Sequence, residues 1–594
     1  MSDRRLPPSA NVVLGIVDGL HDAGAAVVID GRLAAAANEE RFTRRKLQGG
    51  MPKESIRAVL ETAGVSAADV DVVAVGGMAT PTVGTRLFRP AQDWFAPSLG
   101  ICFDRPWHPL DRVGDLLRYR LGVSRARPSA AAGRIERALA APVVRRGLPP
   151  RLRDRPLAFV DHHLAHAESA WRTAGPGRWL VVTCDAHGDG RSLTVAVGDS
   201  GAPGGGARAA GLVPVRSFGV HASLGAFYSV VTKHLGFVPG RDEGKVLGLA
   251  ASGDPTRVPL PFPFRWTDET LVYTGAWGLA ARAWFEALAG VPREDVAAWV
   301  QRGTERILLD GMERWLAETG TRRVALAGGV FANVRLNGLV GALPGVEAVH
   351  VFPHMGDGGL AAGAALHVAG AAPYELGPVY LGPAPSDHAC EVAARGSGLR
   401  VERPTDPDAA LVDRLVQGRP VVRYVGAMEF GPRALGHRSI LCPADRPEAS
   451  GELNDALRRD DFMPFAPILR EEEARTAFPG LGSLARAARF MTVAVPATDA
   501  FRRACPAAVH VDGTARPQVV SASESPELHR LLTAHHARTG RPALVNTSFN
   551  MHQEPIVASP RDAVRSFLAS GLPTMRLGPL VLDRSRGSDR SAPA

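Results

Sequence analysis

Short apolar runs and polar turns alternate along most of the chain. Val12 to Val17 is strand-like, a polar turn carries Asp18, Gly19, His21 and Asp22, and a second apolar run, Ala25 to Ile29, ends at Asp30-Gly31. This pattern predicts a β-hairpin with an Asp-Gly return. A helix is predicted from Pro52, with Ile56, Val59 and Leu60 at helical spacing, and then a strand from Val70 to Val75. Residues 80–155 interrupt the alternation with prolines, aromatics and arginines, among them Arg118, Arg120, Arg125, Arg127, Arg145, Arg146, Arg151 and Arg153. They read as an insertion, either a solvated helical cap or an anion groove. Alternation resumes at Leu157 and runs to about Ala372. A second alternating segment, from near Gly377, contains strands at Pro420 to Val425 and Ala543 to Asn546 and an apolar stretch at Phe465 to Leu469. The chain therefore reads as α/β with a boundary near residue 375: domains 1–375 and 376–583, then a small polar tail, 584–594, expected to be disordered.

Length supports that division, because 594 residues exceed what one hydrophobic core serves. With 45% hydrophobic and 22% charged residues, disorder, fibrous repeats and coiled coils are excluded. The sequence contains neither a membrane-length apolar run nor an apolar signal region behind Met1-Ser2-Asp3-Arg4-Arg5, so membrane association and secretion are not expected. The five cysteines are dispersed without CxxC spacing, which argues against a disulfide framework or a thiolate zinc site and fits a reducing cytoplasm. A net charge of +9 raises nucleic acid as a partner. The arginines are spread along the chain, however, and the lysines are only Lys46, Lys53, Lys233 and Lys245, so no nucleic-acid face is expected.

Candidate chemistry begins at Asp161-His162-His163-Leu164-Ala165-His166, directly after the apolar run Leu157 to Val160. On a helix starting there, His162 and His166 share one face, the spacing two imidazoles need to hold one metal. Ordinary surface histidines at a helix start are the alternative. Asp357, in the glycine turn Gly356-Asp357-Gly358-Gly359, is a candidate third ligand or a cap for the helix after it. Two further loops follow strands: Cys184-Asp185-Ala186-His187-Gly188-Asp189-Gly190 and Gly328-Gly329-Val330-Phe331-Ala332-Asn333. Glycines there let backbone amides approach phosphate, and their recurrence suggests nucleotide phosphates between two lobes. Glu243 and Lys245 of Arg241-Asp242-Glu243-Gly244-Lys245 are candidates to grip a ribose hydroxyl and a phosphate or carbonyl oxygen, or form an exposed turn.

Together these motifs resemble the NodU/CmcH family of carbamoyltransferases. The resemblance rests on GIVDGLHDAGAAVVIDGRLAAAANEERFTRRK at 15–46, DHHLAHAESA at 161–170, CDAHGDG at 184–190, RDEGKVLGLAASG at 241–253, LAGGVFANVRLN at 326–337 and GDGGLAAGAAL at 356–366. In the second half it rests on EFGPRALGHRSIL at 429–441, FMPFAPIL at 462–469 and LVNTSFNMHQEPIV at 544–557. It implies a duplicated actin/sugar-kinase-like ATPase-type N-terminal domain, similar to the threonylcarbamoyladenosine-forming protein, and a YrdC-like twisted α/β C-terminal domain. The second would make carbamoyl adenylate from ATP, with Mg2+, and carbamoyl phosphate; the first would pass the carbamoyl group to a hydroxyl of a small molecule, a secondary metabolite or glycan. The resemblance makes His162, His166 and Asp357 ligands of Fe2+ or another divalent metal and His21 the general base. Lys46 would hold the carbamoyl moiety. It places Asp185, Glu243, Gly328, Gly329 and Asn333 on the nucleotide pocket, and Arg433, Arg438, Thr547, Ser548 and Asn550 where ATP and carbamoyl phosphate meet. The acceptor and the oligomeric state stay open. A transferase modifying tRNA and a nonenzymatic nucleotide-binding scaffold are the alternatives.

The chain departs from the family pattern twice. Leu457 and Met463 stand where many relatives carry lysine and arginine, with Arg458 and Arg459 beside the first. Gln553 stands where glycine is common, a strained choice if the turn needs positive φ.

Overall fold

The computed structural model describes residues 11–78, 86, 130–201, 211–268, 270–275, 284–458 and 465–584. Arg118, Arg120, Arg125, Arg127, Arg459, Met463 and the tail from residue 585 lie outside them.

Two five-stranded sheets share one plan. In the first, β1 (Val12–Val17), β2 (Gly24–Ile29) and β3 (Arg32–Asn38) form an antiparallel meander, and β4 (Val72–Gly76) and β5 (Leu157–Val160) add parallel to β1, giving the order β3-β2-β1-β4-β5. In the second, β6 (Arg178–Gly188), β7 (Arg191–Asp199) and β8 (Gly211–Gly219) repeat the meander. A small hairpin, β9 (Phe264–Trp266) and β10 (Leu271–Tyr273), then precedes β11 (Arg323–Ala327) and β12 (Ala348–Val351), which add parallel to β6. Read from its meander, each sheet has the order 3-2-1-4-5. This is the duplicated actin/sugar-kinase-like fold.

The repeats are interlocked by their helices. His162–Thr173 follows the first sheet and packs on β6 and β11, whereas Leu360–Val368 follows the second sheet and packs on β1 and β4. Missing side chains make the second packing possible: a Cβ at Gly15 would lie 1.9 Å from the Ala361 carbonyl oxygen, and one at Gly363 1.8 Å from that of Ala165. The two helices therefore touch backbone to backbone, and the Asp357 turn at the start of one faces His162 and His166 on the other.

The second half is built on a mixed eight-stranded α/β sheet. Its order is β13 (Arg400–Glu402), β22 (Leu580–Asp583), β21 (Thr574–Leu577), β14 (Val421–Tyr424), β15 (Arg438–Pro443), β20 (Leu544–Ser548), β16 (Ala466–Arg470) and β19 (Gln518–Val520); β17 (Val495–Pro496) and β18 (Thr514–Ala515) pair separately. The halves share core. Leu484, Ala487 and Ala488 are buried in one apolar cluster with Leu336, Val340 and Val349. Asn337 Nδ2 donates to the carbonyl of Phe331 in its own half (2.7 Å) and, across the seam, to that of Thr492 (2.8 Å), and Ala494 N donates to Val334 O (2.8 Å). Asn337→Leu leaves both carbonyls unanswered inside the protein, so a loss of about 2–4 kcal/mol is expected in urea unfolding. An unchanged midpoint would contradict that account.

Among the described residues no helix is long and apolar enough to cross a membrane. Gln553 has φ +62°, so the turn does carry the left-handed conformation that favours glycine.

Candidate active site

Asp161 starts the first site by capping its helix: the carboxylate accepts from Leu164 N at 3.0 Å. Helical spacing then directs His162 and His166 to the same point, whereas His163 turns away and bonds Thr183 Oγ1 at 2.7 Å. The backbone of His162 is fixed by Asp189, whose carboxylate accepts from His162 N (2.8 Å) and Met78 N (2.9 Å). Gly188 makes room for the ring, since a Cβ there would lie 2.1 Å from His162 Cδ2.

At that point four ligand atoms, one each from His162, His166, Asp185 and Asp357, lie within 4.8 Å of one another. His166 Nε2 is 3.1 Å from Asp185 Oδ2 and 3.5 Å from Asp357 Oδ1; His162 Nε2 is 3.4 Å from each carboxylate. Burial opposes charge on His162, but the Asp357 charge and the Asp185 hydrogen bond outweigh it and raise its pKa to about 9. Asp185 is held well below the usual carboxylate range: burial disfavours its charge, and the two imidazoles more than compensate. Two imidazoles and two carboxylates converging from rigid elements fit a divalent ion of the iron, manganese or zinc kind. Asp185, grouped with the nucleotide loops on sequence grounds, thus stands with the metal-type cluster. Only three-dimensional proximity shows this, because β6 carries it there.

His21 lies at the edge of this cluster, half exposed. Its Nε2 is 3.7 Å from Asp357 Oδ2 and its Nδ1 is 3.2 Å from Asp22 Oδ2. Desolvation inside the site opposes protonation of His21, but the Asp22 hydrogen bond and the charges of Asp357 and Asp22 outweigh it and raise its pKa to about 10; a cation held on Asp357 would offset that charge and bring the ring back toward a proton acceptor. Lys46, 3.9 Å from Glu40, lies close enough for its charge to help hold Asp22 below its ordinary value. Beside the cluster, Gly328 (φ +102°) packs against the Cys184 backbone, and a Cβ at Gly329 would lie 3.2 Å from Asp185 Oδ1. Asn333 caps the helix Val334–Gly341 and exchanges amide hydrogen bonds with Gln301 (3.2 and 2.9 Å), while Glu243 accepts from Ser229 Oγ and Gly240 N, both 2.7 Å.

The second half carries a different centre. Arg433 and Arg516 have no carboxylate partner among the described residues. Burial lowers Arg433 to about 10, and burial together with the Arg433 charge pushes Arg516 well below its ordinary value. Two guanidiniums in that state call for an anion. Arg516 lines a seam cleft of about 110 Å³ with Phe465 and Thr514 from the second half and Leu247, Gln301 and Arg335 from the first. The sequence reading missed Arg516; its signal was the polar run His510-Val511-Asp512-Gly513-Thr514-Ala515-Arg516.

Arg438 lies at the start of β15. It is fully buried, donates to the carbonyls of Val425, Gly426 and His437, and stacks on Tyr424, because β15 begins at Arg438 and carries its guanidinium among backbone carbonyls. Thr547 and Ser548 are successive residues of β20 and face opposite sides of the sheet. Ser548 shares its side with Asn546, which donates to Ala434 O at 3.0 Å, next to Arg433. Asn550 donates to the carbonyls of Met551 (2.9 Å) and Glu554 (3.0 Å) and so shapes the following turn. Leu457 is fully buried, so no charge occupies its position.

A duplicated ATPase-like half with a candidate metal centre is joined to a second α/β half with a candidate anion centre. Residues 12–86 and 143–366 match the family model described as Carbamoyltransferase N-terminus, and residues 412–584 match Carbamoyltransferase C-terminus. The chain belongs to the carbamoyltransferases of the NodU/CmcH type: it is an enzyme that moves a carbamoyl group to a small molecule. It is 33% identical over 600 residues to Nodulation protein NolNO of Sinorhizobium fredii, covering 96% of this chain and 80% of the relative. To Nodulation protein NolO of Bradyrhizobium diazoefficiens it is 35% identical over 450 residues, 72% of this chain and 80% of the relative. The crystal structure of T. kodakarensis HypF is similar at a TM-score of 0.33 and 14% identity, covering 61% of this chain and 48% of that one.

Proposed function

We propose that the chain is an ATP-dependent O-carbamoyltransferase with two reaction centres, divided near residue 375. In the second half, Arg433 and Arg516 hold the phosphate oxygens of carbamoyl phosphate and ATP, with Ser548 facing the same side. Water releases phosphate from carbamoyl phosphate; the resulting carbamate oxygen attacks the α-phosphorus of ATP, and pyrophosphate leaves. In the first half, the acceptor oxygen attacks the carbamoyl carbon of the adenylate, AMP leaves, and His21 takes the hydroxyl proton while Lys46 steadies the carbamoyl oxygen. Gly328, Gly329, Glu243 and Asn333 form the nucleotide side of that half. His162, His166, Asp185 and Asp357 would hold Fe2+ or another divalent ion, which supplies Lewis-acid polarisation to the transfer site. The acceptor is a hydroxyl of a small molecule, a secondary metabolite or glycan.

One observation carries this reading: the loop bearing Arg433 packs on the loop leading to Asp357. A Cβ at Gly431 would lie 3.1 Å from Pro353 O, and the Phe430 and His354 rings stand 4.9 Å apart. Such a join sets the Arg433 loop beside the loop of the candidate metal centre, so that an adenylate made in one half is used by a neighbouring group of the other. The test is pyrophosphate and AMP release by the full chain given ATP and carbamoyl phosphate, with mass spectrometry of hydroxylated sugars and aminoglycosides for an added carbamoyl group. No pyrophosphate would overturn the reading. In His21→Asn, pyrophosphate should still form while carbamoylated product falls by roughly 10²-fold or more.

A further inference from the structure

The short helix Glu40–Thr43 and the turn after it send two arginines across the seam. Arg41, buried, donates from Nη2 to Gly431 O at 2.7 Å, two residues from Arg433. Arg44 donates to Pro555 O (2.6 Å) and Ile556 O (2.8 Å), at the end of the turn that Asn550 shapes, and stands 3.6 Å from Glu554 and 3.7 Å from Asp562. The same segment is stitched to the His21 turn: Glu39 N donates to Ala23 O, Ala23 N to Gln48 O and Gly50 N to Gly19 O. One strap, residues 39–50, therefore touches the turn carrying the candidate base and both second-half loops that carry candidate anion-site residues.

Stability is a poor reason for this arrangement. Burying the Arg41 guanidinium against a neutral carbonyl costs solvation, and an apolar residue would pack the seam without that cost. A planar, forked donor fixes the distance and direction of the groups it holds, which an apolar contact does not. We infer that Arg41 and Arg44 are positioning residues that clamp the Gly431 and Pro555 loops onto the His21 turn, keeping carbamoyl adenylate enclosed between its formation and its use. This rests on the two-centre reading above.

Hydroxylamine serves as the probe, so no natural acceptor is needed. Its nitrogen attacks the carbamoyl carbon of adenylate that has reached solvent, AMP leaves and hydroxyurea forms; reactions without ATP correct for hydroxyurea arising from carbamoyl phosphate itself. In the parent, ATP-dependent hydroxyurea should be a small share of the pyrophosphate released. In Arg44→Ala that share should rise several-fold, and Arg44→Lys, which can still reach one carbonyl, should lie between. Arg41→Ala should behave as Arg44→Ala does, and if it does not fold, the Arg44 pair decides alone. A purely structural role would lower pyrophosphate and hydroxyurea together at a constant share. That result, with a pyrophosphate-forming parent, overturns the inference alone; a parent forming no pyrophosphate overturns the two-centre reading and the inference with it.

Discussion

Replacing His166 by Ala is expected to empty the candidate metal centre. The side chain is fully buried and its Nε2 is the atom nearest Asp185, so its removal leaves two carboxylates and one imidazole where four ligands converged. Metal content by plasma mass spectrometry should fall from about one ion per chain to a small fraction. Carbamoyl transfer should drop on the order of 10³-fold, the scale of several kcal/mol of lost transition-state stabilisation. Pyrophosphate release should persist, because Arg433 and Arg516 are untouched. Full metal occupancy in His166→Ala would refute the ligand assignment whatever happens to activity.

The second large effect is expected at Arg433, and its sign differs between two measurements. Arg433→Ala removes one of two phosphate-holding guanidiniums, so pyrophosphate release should fall by about 10²–10³-fold, the usual loss when one charge-stabilising donor goes. Folding stability should not fall with it. Arg433 is held below its ordinary pKa by burial and presses Arg516 down as well, so deleting it relieves a repulsion. The melting temperature should equal or exceed that of the parent. A variant both less stable and fully active would make Arg433 an ordinary structural arginine.

The sequence made part of this site legible because part of it is local. His162 and His166 are four residues apart on one helix, and the glycine turn around Asp357 marks a helix start, so period and turn chemistry suffice. The hairpins and the parallel strands were likewise visible, with boundaries off by a residue or two: the strand expected at Val70 to Val75 is Val72–Gly76, and that at Ala543 to Asn546 is Leu544–Ser548. What was illegible depends on pairing across long separations. Asp185 looked like a phosphate-loop residue because its partners lie about twenty residues back, at His162 and His166, and a whole repeat ahead, at Asp357. Arg438 looked like a phosphate clamp because an arginine behind a glycine turn is polar in one dimension; only the start of β15 at that residue, beside the Val425 and Gly426 carbonyls, shows it buried. Arg41 and Arg44 had no local signal among so many arginines, since what distinguishes them is the partner each has across the seam.

The helix Leu360–Val368 has a consequence for the birth of the protein on the ribosome. The face of the first sheet that it covers, with Val13, Ala26 and Ala74 in the same apolar cluster as Leu360, Ala361 and Ala364, is complete only when a segment nearly three hundred residues downstream of β4 has been made. The N-terminal repeat therefore cannot finish its core while it is being synthesised, however early its own strands pair. Contacts of that sequence separation slow folding and keep apolar sheet surface uncovered in the meantime. Expression at lower temperature, or with a chaperone that shields such surface, should raise the soluble yield of the intact chain, and truncations ending before residue 360 should not be rescued by either.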